Sequence, residues 1–191
     1  YGQTTSSGFV VNPSFEDGSA EAIAGGATLN NWKLGGGQKD DVGVLARIQT
    51  TNVHPGDGSN ALEVTSVGTG KYWEIAVINT TYSFAGNNQD LIEVTVGFWA
   101  KTTDDAPGSE NENGDMRLRV RDTGSLDYAT TEEKNKGFVE KYNLVLLTTD
   151  TWAYITKTFT FPAAANYDLS LYLEFGLVDG ITQIDGITTT V

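Results

Sequence analysis

The chain has 191 residues, 39% of them hydrophobic, which suits one all-β domain with an ordinary core and no need of covalent staples. It has no cysteine, so disulfides and thiolate chemistry are excluded, and its one histidine, His54, excludes a metal site built on two. A formal net charge of −13 disfavours nucleic acid and anionic lipid as partners, and no apolar run reaches the ~18 residues of a membrane-spanning helix.

Residues 1–8 read as a flexible lead-in, as expected of a segment whose leader or anchor was removed upstream, and residues 9–191 as a single domain. Strand signals open at 8–11 and continue at 42–48, 61–67 and 72–80, the later ones alternating in the two-residue rhythm of half-buried strands. In the last of these, Tyr72, Glu74 and Ala76 oppose Trp73, Ile75 and Val77, so one of the two sets points inward. Residues 92–101 and 116–121 follow, then 152–161, 169–176 and 183–187. Turn chemistry separates them, as at Gly35-Gly36-Gly37 and His54-Pro55-Gly56-Asp57-Gly58. Residues 132–142 read as one or two helical turns or an irregular loop, and the acidic run 104–115 as a solvated connection without EF-hand spacing. Many short strands and no long amphipathic helix predict an all-β fold, a two-sheet antiparallel sandwich or jelly roll.

Arg117, Arg119 and Arg121 alternate with Met116, Leu118 and Val120, which puts three guanidinium groups on one face. On a concave face they suit sugar hydroxyls or anionic groups; on a convex one they are solvated charge. No Gly-x-Ser-x-Gly, phosphate-cradling loop or His-Glu-x-x-His is present. Carboxylates are abundant, so composition alone leaves a glycosidase pair open, but no pair stands out, and His54 in its Pro-Gly turn is poorly placed for acid–base work.

Several segments taken in order resemble the calcium-containing jelly-roll carbohydrate-binding modules of families 4, 9 and 22, and family 4 most. They are Asn12-Pro13-Ser14-Phe15-Glu16, a lone Trp32, Gly58-Ser59-Asn60-Ala61-Leu62-Glu63-Val64, and Trp73 in Tyr-Trp-Glu-Ile. Val96-Gly97-Phe98-Trp99-Ala100-Lys101, Thr151-Trp152 and the closing Ile184-Asp185-Gly186-Ile187 complete the set. The loops at 104–115 and 123–142 are longer than this resemblance leads one to expect.

The resemblance implies a galactose-binding-domain-like sandwich with a structural calcium ion. Glu16, Asp57 and Asp185 would hold it by carboxylate and Ser14 and Asn60 by carbonyl, although Asp57 and Asp185 also read as plain turn acids. It implies that Trp73 stacks on a sugar ring, the competing reading being core. Tyr128, or its competitor Tyr142, would be the second plate, and each also reads as a loop anchor. Arg119, Arg121 and Glu174 would be polar contacts, while Trp99 and Trp152 are expected in the core and Trp32 at an end of the sandwich.

The expected function is non-catalytic polysaccharide binding outside the cell or on a bacterial surface, beside further modules of the same polypeptide. A neutral β-glucan or xylan-like chain is favoured, because the net charge of −13 repels a polyanion at long range. The alternatives are a jelly-roll polysaccharide lyase or glycosidase, and a structural or adhesive sandwich without a sugar site.

Overall fold

A computed structural model describes residues 8–17, 20–68, 71–102, 116–122, 138–142 and 151–191 of the chain. In chain order the strands are β1 (Ala22–Ile23), β2 (Thr28–Leu29), β3 (Trp32–Gly35), β4 (Leu45–Gln49), β5 (Ala61–Val67), β6 (Ala76–Asn79) and β7 (Tyr82–Ala85). Then come β8 (Ile92–Thr102), β9 (Met116–Asp122), β10 (Phe138–Tyr142), β11 (Ala153–Phe161), β12 (Asn166–Glu174) and β13 (Asp179–Thr190). They form two antiparallel sheets. One has six strands in the order β1-β4-β5-β13-β8-β11, and the other has seven, β10-β9-β12-β6-β3-β2 with β7 added on β12. No helix among the described residues is long and apolar enough to cross a membrane.

The core lies between the sheets, where alternation puts every second side chain. Val94, Val96, Phe98 and Ala100 of β8 meet Met116, Leu118 and Val120 of β9 and Leu169, Leu171 and Leu173 of β12, all fully buried. Trp32 is fully buried as well, its indole N–H donating to the Asn12 carbonyl at 3.1 Å and its ring 5.1 Å from that of Phe15. Asn79 ties the N-terminal segment to β6, accepting from Val11 N–H at 3.0 Å and donating to the Val11 carbonyl at 2.9 Å. At the far edge of the sandwich, Lys157 of β11 and Glu140 of β10 pair at 3.0 Å and join the two sheets.

The structure departs from the sequence reading at four places. Residues 8–11 are buried at Phe9 and Val10 but form no strand, and residues 22–35 supply three short strands instead of a loop. The expected strand at 72–80 is broken: Tyr72–Glu74 is a 3-10 turn and β6 starts at Ala76. Residues 138–142 are an edge strand paired with β9, not helix or loop. Finally, Trp99 and Trp152 are only half-buried, on the outer face of the six-stranded sheet, where the His54 ring stacks on Trp99 at 4.0 Å and meets Trp152 edge-on at 5.6 Å.

Candidate functional site

Pairing across the seven-stranded sheet aligns Arg119 of β9 with Tyr172 of β12, Tyr172 with Ile78 of β6, Ile78 with Lys33 of β3 and Lys33 with Thr28 of β2. Directly opposed residues share a face. Because Leu118, Leu173, Val77, Trp32 and Leu34 fill the core, this row lies on the outer face and crosses five strands. A shallow depression of about 220 Å³ follows it, lined by Thr28, Lys33, Ile78 and Tyr172 together with Ser170 and Thr81, whose hydroxyls are 2.7 Å apart. The lining is mostly hydroxyl and amide around two apolar surfaces, a composition that holds a polar, ring-shaped ligand better than an apolar one.

Trp73 stands beside this face on the 3-10 turn between β5 and β6, and it is 43% exposed. The turn is closed by the Glu74 N–H donating to the Lys71 carbonyl at 2.9 Å, and the Glu74 carboxylate accepts the Lys71 N–H at 2.6 Å. Two glycines grip it. Gly36, with φ of +103°, lies so close to the Glu74 carbonyl that a Cβ would fall 2.1 Å from its oxygen; at Gly176 a Cβ would fall 1.8 Å from the Lys71 oxygen. Tyr72 is consequently buried and Trp73 is turned out, with Lys71 Nζ 5.4 Å and the Arg117 guanidinium 5.5 Å from its ring.

The arginine stripe sits on the same outer face, with Arg117 buried and Arg119 and Arg121 partly buried. Arg117 is 4% exposed and Glu174 of β12 fully buried, and Arg117 Nε donates to Glu174 Oε2. Arg119 Nε is 3.1 Å from the other carboxylate oxygen, off the hydrogen-bonding line, and its guanidinium lies 4.1 Å from the centre of the Tyr172 ring. Burial lowers the Arg119 pKa, opposed by the Glu174 charge. Among the described residues Arg121 has no carboxylate partner, and its Nε is buried without an acceptor.

A second constellation lies at the six-stranded sheet, where β13 bulges between Asp185 and Thr188. Asp185 is fully buried and accepts the His54 N–H at 2.9 Å and the Gly186 N–H at 2.8 Å. Burial above all, against the pull of the two N–H bonds and helped by the charges of Asp57 and Glu16, raises its carboxyl to about 7. Asp57 Oδ2 rests against Gly186, and Glu16 Oε1 rests against Gly58 while accepting the N–H groups of Ser59 and Asn60 at 2.7 Å each. Asn60 Nδ2 donates to the Phe15 carbonyl at 3.0 Å, and Phe15 holds an unusual φ of +60° in the turn that carries Ser14.

Four of the five residues expected around a cation, Glu16, Asp57, Asn60 and Asp185, are thus linked by hydrogen bonds or charge, and Ser14 lies in the adjoining turn. The donor set suits a hard cation, since mutually repelling carboxylates, one driven towards protonation, are what such an ion relieves. Among the described residues no three acidic or histidine side chains are grouped closely enough to hold a metal, so the three carboxylates would have to draw together around an ion.

Of the expected ligand contacts, Trp73, Arg119, Arg121 and Glu174 share the outer face of the seven-stranded sheet. Tyr142 does not join them. It opposes Met116 in register, so it faces the core, where its ring meets Phe98 edge-on at 6.3 Å and burial raises its hydroxyl pKa to about 12. Tyr128 lies outside the described residues. The sequence reading passed over Tyr172, Ile78, Lys33 and Thr28. Tyr172 was legible, since it precedes Glu174 by two in an alternating run; the other three depend on sheet register.

A family model described as a carbohydrate binding domain matches residues 7–180. No curated protein matches the chain. Among solved structures, a "Family 16 Carbohydrate Binding Module-2" is 17% identical, with 95% of this chain and 98% of that one covered and a TM-score of 0.56. One described as "CBM4 structure and function" is 18% identical over the same shares, with a TM-score of 0.53. A Stig cyclase, Fisc from Fischerella sp. TAU, is 14% identical over 98% of both chains, with a TM-score of 0.64. At these identities the likenesses establish a jelly-roll sandwich, a fold shared by binding modules and enzymes alike.

Proposed function

Because the chain belongs to the carbohydrate binding domain family matched over residues 7–180, a family that is non-catalytic, we propose that it binds a glycan chain and performs no chemistry. The chain would lie along the row Arg119–Tyr172–Ile78–Lys33–Thr28, with Trp73 as the aromatic plate beside it. The observation that carries this reading is Trp73 itself, a large aromatic side chain turned outward by a built turn beside the outer face of the seven-stranded sheet. A flat C–H sugar face stacks on such a plate while water is expelled. Such a module keeps an appended enzyme or a surface uptake system near an extended substrate by raising effective concentration, outside the cell or on a bacterial surface. A neutral β-glucan or xylan-like chain satisfies the long-range charge argument; the charges within the site weigh differently and are taken up below.

Trp73→Ala is expected to weaken glycan binding by about 1–3 kcal/mol, the usual scale for an aromatic anchor. A residue 43% exposed leaves little cavity, so the melting temperature should stay near that of the wild type. Isothermal titration paired with a melting curve measures both, and undiminished affinity would remove Trp73 from the site. A glycan array finds the ligand class, and release of reducing ends from that ligand would refute the non-catalytic reading.

We further propose calcium as the ion beside Asp185. Glu16, Asp57 and Asp185 would hold it by carboxylate and Ser14 and Asn60 by carbonyl, and when bound it supplies charge compensation rather than reactivity. An ion that binds only the native state at 100 times its Kd adds about 2.7 kcal/mol. For a chain of this length EDTA should therefore lower the melting temperature by roughly 5–10 °C, and Glu16→Ala should abolish that difference. Identical melting with calcium and with chelator would exclude the site.

A further inference from the structure

We propose that this face selects an acidic glycan, a chain whose carboxylate or sulfate groups pair with the partly exposed guanidinium groups of Arg119 and Arg121. The proposal rests on the glycan-binding reading and adds the charge of the ligand to it.

The first observation is a local inversion of charge. The protein carries −13 overall, yet among the described residues the outer face of the seven-stranded sheet gathers Arg117, Arg119, Arg121 and Lys33 beside Glu174 and Asp168. The second is how Glu174 is used. One of its oxygens accepts from Arg117 and the other stands by Arg119, so a single buried carboxylate serves two guanidinium groups and leaves a positive charge in excess. The third is that donors are left over. Arg121 is only partly buried and has no carboxylate partner among the described residues, and Arg117 Nη2 has no acceptor among them.

A buried donor without a partner is costly, and more so when it is charged. An evolved binding face keeps such donors where a ligand acceptor meets them. A sugar hydroxyl can accept the hydrogen bond but leaves the charge uncompensated. A carboxylate or sulfate answers both, and a guanidinium fork matches its geometry with two parallel bonds. Along the row, Tyr172 and Ile78 supply the apolar surface for the ring while Arg119 and Lys33 stand on either side of them.

The global charge argues the other way only at a distance. At physiological ionic strength, exposed charges are screened beyond about 8 Å. The pairings proposed here act at contact and in a partly desolvated setting, where attraction is much stronger than at the surface. The net charge of −13 therefore slows the approach of a polyanion without deciding what is held once it arrives.

The test compares each acidic oligosaccharide with the same chain after its charge is removed, by isothermal titration on the whole protein. An oligouronate is set against its carboxyl-reduced form, and a sulfated oligosaccharide against its desulfated form. The arm in which the charged member binds about ten- to a hundredfold more tightly, the range set by a charge-assisted hydrogen bond, identifies the anionic group. Arg121→Gln should erase most of that preference, lowering the affinity of the charged chain far more than that of the neutralised one. If neutralised and charged chains bind equally, or only neutral chains bind, the proposal is overturned and the glycan-binding reading stands. If no glycan of any class binds, that reading falls with it. The comparison on the unaltered protein decides the matter even if Arg121→Gln does not fold.

Discussion

Glu174→Ala is expected to destabilise the fold by about 3–5 kcal/mol, the scale for breaking a buried ion pair from one side. Two guanidinium groups depend on this carboxylate, and neither can reach bulk water easily, with Arg117 side chain 5% and Arg119 side chain 11% exposed. Removing it leaves both charges close together in a poorly solvated setting and empties a fully buried position between β9 and β6. Replacing the pair by apolar groups of similar volume should behave differently, because the penalty comes from uncompensated charge rather than from lost attraction. Adding Arg117→Met to Glu174→Leu should accordingly recover much of what Glu174→Leu alone loses. Urea unfolding of the four proteins measures this, and a loss below about 1 kcal/mol for Glu174→Ala would mean that water reaches the cluster.

Trp32→Ala should cost about 3–5 kcal/mol, as expected for emptying an aromatic site in a packed core. Trp32 is fully buried, stacks against Phe15 and holds the Asn12 carbonyl through its indole N–H. Those contacts pin the turn from Asn12 to Glu16, which carries the residues proposed to hold the cation. The substitution should therefore also shrink the gain in melting temperature on adding calcium. Trp32→Phe fills most of the volume but loses the donor, and about 1–2 kcal/mol is expected for the orphaned carbonyl and the smaller ring. Chemical denaturation with and without calcium separates the two effects; a Trp32→Ala protein with an undiminished calcium response would disconnect the indole from the ion site.

Alternation was legible wherever a strand is long and has one face in the core. Residues 61–67, 92–101 and 116–121 were read to within a residue because Leu62 and Val64, Val94 to Ala100 and Met116 to Val120 keep an unbroken period of two. It failed at Trp73 for a specific reason. Ile75 and Val77 are fully buried, and the same rhythm carried back would bury Trp73 too; the turn at Tyr72–Glu74 interrupts the period and sends the indole outward. Nothing local in the residues announces that turn, because its grip comes from Gly36 and Gly176, far away in sequence. Strands of two to four residues at 22–35 are too short to carry a period. Tyr142 was misplaced because its face is set by the register of β10 on β9, a long-range pairing. The acids near Asp185 could be named singly as turn residues, but their convergence is a property of the sandwich.

The row that crosses the seven-stranded sheet draws each of its positions from a different strand, at sequence numbers 28, 33, 78, 119 and 172. Four inter-strand steps from Arg119 to Thr28 span about 19 Å. A ligand lying along it is read by five separate stretches of chain, none of which needs the others' side chains to keep its backbone in place. Specificity on such a surface can drift one letter at a time: a change at Thr28 alters one end of the ligand and leaves the arginine end as it was. Substitutions at Thr28 and Arg119, well beyond contact, should add in their effect on affinity, whereas Arg119 and Tyr172, with the guanidinium 4.1 Å from the ring, should couple. The fold thus offers evolution a keyboard with mostly independent keys, in which only adjacent ones stick.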